Sequence, residues 1–107
     1  MTEALKTRIE SLIRKQHVML FMKGNPAMPQ CGFSASVVGM LKEVGVPFAS
    51  HNILADQEIR DGLKEYSQWP TFPQLYVDGK LVGGCDIVTA MHERGQLAPL
   101  LKATPAS

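Results

Sequence analysis

The pattern of apolar and polar positions predicts a helix and then a strand at the start of the chain. Between Thr2 and Lys15, apolar residues recur at the three- and four-residue spacing of an amphipathic helix, with Thr2 as its N-cap. In residues 17–22, five successive apolar residues follow a histidine, which is typical of a strand covered on both faces of a parallel or mixed sheet. The apolar positions of the helix are Leu5, Ile9, Leu12 and Ile13.

The next part of the chain continues the alternation of helices and strands. Residues 32–44 keep a helical period, and residues 48–54 are predicted to form a second strand. Asp56 can cap a third helix that ends before Trp69-Pro70. Gly62 lies within this helix and weakens it by ~1 kcal/mol relative to alanine.

The strongest local pattern in the sequence predicts a β-hairpin. Residues 74–77 and 80–82 have strand composition and flank Asp78-Gly79, a dipeptide that readily adopts the positive φ angles of a two-residue turn. One β-α-β unit joined to an antiparallel pair follows from this order. The predicted fold class is therefore α/β, a four-stranded mixed sheet with helices on both faces and the first strand inside.

Two further helical segments are predicted after the hairpin. Asp86 is the expected N-cap of the first of them, and a short turn over residues 97–101 closes the domain. Residues 103–107 are expected to be a frayed tail of a single domain, 1–107. The positions of the fourth helix that are predicted to face inward are Ile87, Val88 and Met91.

Composition and charge narrow the classes of function. The chain has 107 residues, 45% of them apolar, and a formal net charge of +1, so no excess of basic residues points to nucleic acid. No apolar run reaches transmembrane length, and the first residues lack the pattern of a leader, so no membrane partner is expected. Only two cysteines, far apart in the chain, do not resemble a disulfide framework, which favours a reducing, cytoplasmic compartment.

Cys31 is the candidate reactive group. It lies at the predicted start of a helix, after a proline-containing loop that follows the buried strand. Unpaired N–H groups and the positive end of the helix dipole favour a thiolate there, and Lys23 can add a positive charge. The plain alternative is a small buried hydrophobic residue. The predicted loop opens at the carboxyl end of the strand, where open α/β sheets bind ligands.

Four motifs together carry a resemblance to a known family. They are Lys23, Cys31-Gly32-Phe33-Ser34, Trp69-Pro70-Thr71-Phe72-Pro73 and Gly83-Gly84-Cys85-Asp86. With these motifs in this order, the sequence resembles the single-domain, CGFS-type monothiol glutaredoxins of bacteria. The resemblance implies a thioredoxin fold, binding of glutathione, and a [2Fe-2S] cluster shared by two chains, with one Cys31 from each chain and two glutathiones as ligands.

The resemblance also implies roles for individual residues. Lys23 and Arg60 would hold the glycine carboxylate of glutathione, as suits a lysine charge and an arginine fork. Thr71 and Phe72 would precede a cis-proline and present backbone groups to the cysteinyl part of the tripeptide. The full set implied for glutathione is Lys23, Arg60, Thr71, Phe72, Cys85 and Asp86, the last two binding the γ-glutamyl end.

The chemistry of a single thiol agrees with this resemblance. Ser34 stands where a second cysteine would close a local disulfide, so a mixed disulfide at Cys31 must be resolved from outside. An iron–sulfur cluster needs four sulfur ligands, so one cysteine per chain requires a second chain and added thiols. Three functions stay open: a cluster carrier, which the resemblance favours, a glutathione-dependent oxidoreductase with Cys31 as nucleophile, and a scaffold or regulatory interaction. In the last of these the cluster would bridge the chain to a partner protein. The implied partners are a second copy, a BolA-like protein and iron–sulfur acceptor proteins.

Several residues keep an alternative interpretation. Arg60 could pair with Asp56 four residues earlier rather than bind a ligand, and Cys85 could form a disulfide with Cys31. Trp69 is expected to pack over the edge of the sheet. The three histidines have no metal-ligand spacing.

Overall fold

The structure, a computed structural model, describes residues 1–103, so the predicted tail lies outside the described residues except for Ala103. The four strands form one mixed sheet in the order β2-β1-β3-β4, in which β1 is parallel to β2 and antiparallel to β3, and β4 is antiparallel to β3. This confirms the predicted α/β class with the first strand inside. The elements are α1 (Glu3–Ile13), β1 (Val18–Met22), α2 (Gly32–Val44), β2 (Ala49–Asn52), a 3-10 turn (Ile53–Ala55), α3 (Gln57–Ser67), β3 (Gln74–Val77), β4 (Lys80–Gly83), α4 (Cys85–Glu93) and α5 (Leu97–Lys102).

Strand β1 separates two apolar cores. All five of its side chains are fully buried, and successive side chains of a strand point to opposite faces of the sheet. Val18, Leu20 and Met22 pack with residues of α2, α4 and α5, whereas Met19 and Phe21 pack with residues of α1 and α3. The apolar run lacks alternation because helices cover both faces. None of the helices within residues 1–103 is long and apolar enough to span a membrane.

The predicted N-caps of the first and third helices and the hairpin turn are confirmed. The hydroxyl of Thr2 accepts a hydrogen bond from Leu5 N at 3.1 Å, and the carboxylate of Asp56 accepts one from Ile59 N at 3.3 Å. Asp78 and Gly79 have φ angles of +52° and +79°, as a two-residue hairpin turn requires.

The second strand is shorter than predicted. Instead of residues 48–54, β2 covers Ala49–Asn52, and the chain then turns into the 3-10 segment. The side-chain oxygen of Asn52 accepts hydrogen bonds from Leu54 N at 3.0 Å and from Gly24 N at 2.9 Å. The first bond caps the turn, and the second ties the end of β2 to the loop that follows β1.

The prediction for the start of the fourth helix was wrong. Gly84 is the N-cap and α4 begins at Cys85, so Asp86 lies in the first turn without capping it. Val88 is fully buried, whereas Ile87 is 38% exposed rather than facing inward. Adjacent residues of an α-helix point about 100° apart, and the buried face of α4 includes Val88 but not Ile87.

Gly62 has a packing role that helix propensity does not show. A Cβ atom at this position would lie 2.9 Å from Leu5 Cδ2 and 3.1 Å from Ile9 Cδ1. The missing side chain therefore lets α1 and α3 approach closely on one face of the sheet.

Asp56 links three elements, α1, β2 and α3, on the side of the sheet that α1 and α3 cover. Its carboxylate accepts two hydrogen bonds from Arg8, at 2.6 and 3.1 Å, and lies 2.7 Å from Nε2 of His51. The hydrogen bonding with Arg8 is the largest cause that lowers the pKa of Asp56 to about 2, with a further contribution from His51. The ionised carboxylate thus joins α1, β2 and α3.

We expect Asp56→Asn to lower the free energy of unfolding by about 2 kcal/mol at pH 7, because asparagine can still cap α3 but loses the charge. A carboxyl group whose pKa is lowered by folding stabilises above its unfolded pKa, and this contribution disappears as the pH falls from about 4 to about 2. Urea unfolding at pH 7 and pH 3 checks this, with Asp61→Asn on the exposed side of α3 as control. An equal loss of unfolding free energy at both pH values would contradict the stabilising role of the ionised Asp56 carboxylate.

Candidate functional site

A cavity of about 410 Å³ opens beside the N-terminus of α2. It is formed by the end of β1, the start of α2, one side of α3, the loop before β3 and the start of α4. The structure brings together in its wall every residue that the sequence singled out for a site: Lys23, Cys31, Arg60, Thr71, Phe72, Cys85 and Asp86.

Cys31 is the N-cap of α2 and is partly exposed. The pKa of its thiol is lowered, chiefly by the backbone N–H of Ser34 and also by the N–H of Phe33 and the charge of Lys23, against the opposing effect of burial. These donors favour the thiolate, the form of cysteine that attacks disulfides and binds metals.

Ser34 joins the first turn of α2, where Cys31 lies, to Lys23 at the end of β1. Its side chain is fully buried, and its hydroxyl accepts a hydrogen bond from Lys23 N at 3.1 Å. The first turn of α2 is thereby held against the end of β1. The residue at the place of a possible second cysteine thus supports the site.

The loop between β1 and Cys31 turns back on itself. Gln30 N donates to Lys23 O at 2.9 Å, and Gly24 has a φ angle of +86°. A Cβ atom on Gly24 would lie 2.5 Å from Met28 O. Only glycine fits this close backbone approach, which places Cys31 beside the strand end.

The loop from Trp69 to Pro73 forms the opposite wall. The Phe72-Pro73 peptide is cis, as the resemblance implies. Trp69 lines the cavity, and its Nε1 atom is buried with no hydrogen-bond partner among residues 1–103. A Cβ atom on Gly84 would lie 3.1 Å from that nitrogen and 3.3 Å from Pro73 O. The absence of a side chain at Gly84 therefore lets the loop pack against the start of α4.

Three cations and one carboxylate line the cavity: Lys23, Arg60, Lys64 and Asp86. The pairing of Arg60 with Asp56 is not observed, since Arg8 and His51 occupy the Asp56 carboxylate and no ion pair within residues 1–103 includes Arg60. Sequence reasoning missed Lys64. Its position four residues after Arg60 on the same helix was the available signal.

The second thiol of the cavity belongs to Cys85, the first residue of α4. Both cysteines are free, so the structure contains no disulfide between them, and Cys85 Sγ lies 3.8 Å from the hydroxyl of Thr89. Within the described part of the chain, no group of three or more His, Cys, Asp or Glu residues is arranged to hold a metal ion. Among the described residues, Cys31 is therefore not part of a chelating cluster within one chain.

Each of the three histidines pairs with a carboxylate. His17 lies 2.6 Å from Asp78, and His92 lies 3.3 Å from Glu43. His51 contacts Asp56 at 2.7 Å. The histidines therefore form surface or strand-end pairs away from Cys31.

Comparison with known proteins assigns the chain to a family. The glutaredoxin family model matches residues 18–82. An uncharacterized monothiol glutaredoxin (ycf64-like) of Synechocystis is 50% identical over 107 residues, the full length of both chains. Monothiol glutaredoxin-S11 of rice (Oryza sativa subsp. japonica) is 55% identical over 94% of this chain, which spans only 20% of that protein.

Solved structures of the same class have the same fold. Reduced apo GrxS14 of poplar is 52% identical, with a TM-score of 0.78 over 91% of this chain and 89% of that one. A buckwheat glutaredoxin–glutathione complex is 25% identical, with a TM-score of 0.80 over 94% of each chain. The fold and the lone N-cap cysteine define a thioredoxin-fold thiol protein. More particularly, the chain belongs to the monothiol glutaredoxins.

We expect Lys23→Gln to raise the pKa of Cys31, because the lysine charge stabilises the thiolate. The pKa should stay below that of an ordinary thiol, since the N–H groups of Ser34 and Phe33 remain. The pH dependence of iodoacetamide alkylation, followed by mass spectrometry at Cys31, measures this shift. Lys80→Gln, on β4 outside the cavity wall, is the charge-matched control, and an equal midpoint in all three proteins would contradict the role of Lys23.

Proposed function

We propose that this chain binds glutathione in the cavity and, with a second copy, carries a [2Fe-2S] cluster on the two Cys31 thiolates for transfer to acceptor proteins. The observation that carries the proposal is one activated thiolate in a cavity whose charges complement a zwitterionic peptide.

Glutathione suits the arrangement of polar groups in the wall. Lys23 and Arg60 supply positive charge for the glycine carboxylate, and Asp86 supplies negative charge for the γ-glutamyl ammonium. The first turn of α4, beginning at Cys85, presents unpaired N–H groups that suit the γ-glutamyl carboxylate. Thr71 and Phe72 also line the cavity, and their backbone groups suit the cysteinyl part of the tripeptide. The glutathione complex of the buckwheat relative supports the assignment.

A shared cluster fits the number of ligands that one chain provides. An iron–sulfur cluster needs four sulfur ligands, and in this proposal each chain supplies one of them, the thiolate of Cys31. A second Cys31 and two glutathione thiolates complete the set. Phe33 is 62% exposed at the rim, which supplies an apolar contact for another protein chain.

We place this function in iron–sulfur cluster assembly and iron homeostasis, in a reducing cytoplasm. Two free thiols are consistent with such a compartment. The proposed partners are iron–sulfur acceptor proteins and a BolA-like protein, which could replace the second copy.

Anaerobic reconstitution with ferrous iron, sulfide and glutathione tests the carrier function. We expect visible sulfide-to-iron absorption and the mass of a dimer, both dependent on glutathione and both lost in Cys31→Ser. Cys85→Ser is the matched comparison, because it removes the other thiol of the cavity but keeps its backbone N–H. We expect this variant to retain the absorption, and a colourless monomeric wild type would contradict the carrier function.

A second candidate function follows from the lowered pKa of Cys31. Its thiolate can attack the glutathione sulfur of a protein–glutathione disulfide, so that a Cys31–glutathione bond forms and the protein thiol leaves and takes up a proton. A glutathione thiolate then attacks this mixed disulfide, releases oxidised glutathione and restores the Cys31 thiolate.

The two functions predict different rates for the reduction of glutathionylated substrates. For the carrier we expect slow reduction of a glutathionylated peptide in a coupled glutathione reductase assay. Turnover as fast as that of a dithiol enzyme, in a protein that binds no cluster, would establish the oxidoreductase instead.

A further inference from the structure

Gln74 is a fully buried polar residue directly beneath the wall of the cavity. It is the first residue of β3, following the Trp69–Pro73 loop, and its side chain has no exposed surface. Its amide nitrogen donates to Trp69 O at 3.0 Å and to Thr71 O at 3.2 Å, and its amide oxygen accepts from the Tyr76 hydroxyl at 3.0 Å. All three partners lie in or just after this loop.

These partners leave one orientation for the Gln74 amide. Carbonyl oxygens can only accept hydrogen bonds, so the NH2 group must face Trp69 and Thr71. The amide oxygen then faces the hydroxyl of Tyr76. Burial raises the pKa of Tyr76 to about 12, so the phenol keeps its proton and can donate it.

The bond to Thr71 O also determines the direction of the next N–H group. Thr71 C=O and Phe72 N–H belong to one peptide unit, which is trans because Phe72-Pro73 is the cis peptide of the described chain. In a trans peptide the two groups point in opposite directions. Holding Thr71 O toward Gln74 therefore turns Phe72 N–H away from the core, on the side where Thr71 and Phe72 line the cavity.

The Phe72 amide is available at that position. The hydrogen bonds within residues 1–103 include none to its N–H or C=O. A polar backbone group in a cavity wall without a protein partner can bind a ligand backbone in the manner of a short strand.

We propose that Gln74 is a positioning residue for glutathione binding, which presents Phe72 N–H to the ligand through the carbonyls of Trp69 and Thr71. This inference rests on the proposed binding of glutathione. Without the Gln74 amide, Thr71 O loses its donor and Trp69 O keeps only the Ser67 hydroxyl, at 3.5 Å. The loop then gains by rotating these carbonyls toward water. That rotation moves Phe72 N–H out of its binding direction, although Gln74 itself never contacts the ligand.

Gln74→Met tests the inference, because methionine keeps the length of the side chain but has neither a donor nor a strong acceptor. We expect its affinity for reduced glutathione, measured by NMR titration, to fall about tenfold, as for one to two lost hydrogen bonds. The rate of Cys31 alkylation by iodoacetamide should stay within about twofold of wild type. Tyr76→Phe is the matched control, since it removes the bond to the Gln74 oxygen but keeps both bonds to the loop.

The outcomes separate positioning from a general structural role. Loss of affinity in Gln74→Met but not in Tyr76→Phe, at similar loss of thermal stability, supports the inference. Equal affinity of Gln74→Met and wild type, or equal loss in both variants, overturns it. A wild type that binds no glutathione overturns the proposed function instead.

A measurement on the wild type applies even if Gln74→Met does not fold. We expect the side-chain amide protons of Gln74 to exchange with solvent far more slowly than those of the exposed Gln57, and to shift when glutathione saturates the site. Exchange as fast as that of Gln57 would overturn the inference.

Discussion

The burial of β1 on both faces is the constraint on which the rest of the structure depends. A strand of five fully buried side chains must have helices on both sides of its sheet, because neither face can be left to water. Helix α2, which covers one of these faces, follows the carboxyl end of the strand after a single loop. The first residue after the strand, Lys23, and the N-cap of the next helix, Cys31, therefore meet at one edge of the sheet.

Three buried or partly buried side chains form hydrogen bonds with the backbone of loops and hold this edge of the sheet in place. Ser34 accepts from Lys23 N, Asn52 accepts from Gly24 N, and Gln74 donates to the carbonyls of Trp69 and Thr71. Each bond joins a side chain of one element to the backbone of a loop. Loops without regular structure thus acquire the definite geometry that binding requires.

The electrostatics of the cavity follow from the same arrangement. The helix N-terminus and Lys23 stabilise negative charge at Cys31, and Arg60 and Lys64 add positive charge from α3. Asp56, which could have neutralised Arg60, is bound instead by Arg8 of α1 and His51 of β2. An ion pair that joins α1 to α3 therefore also leaves Arg60 available to the cavity.

Local patterns in the sequence determined most of the fold and the identity of the main site residues. The caps at Thr2 and Asp56, the Asp78-Gly79 turn and the apolar run of β1 act through neighbouring residues, so the sequence alone predicts them. The tertiary structure decided where β2 ends, why α4 starts at Cys85 with Gly84 as its N-cap, and that the Gln74 side chain is buried against the loop before β3. These features depend on contacts such as Asn52 with Gly24 and Gly84 with Trp69. Residues far apart in the chain make such contacts only after the sheet has formed, and no local pattern records them.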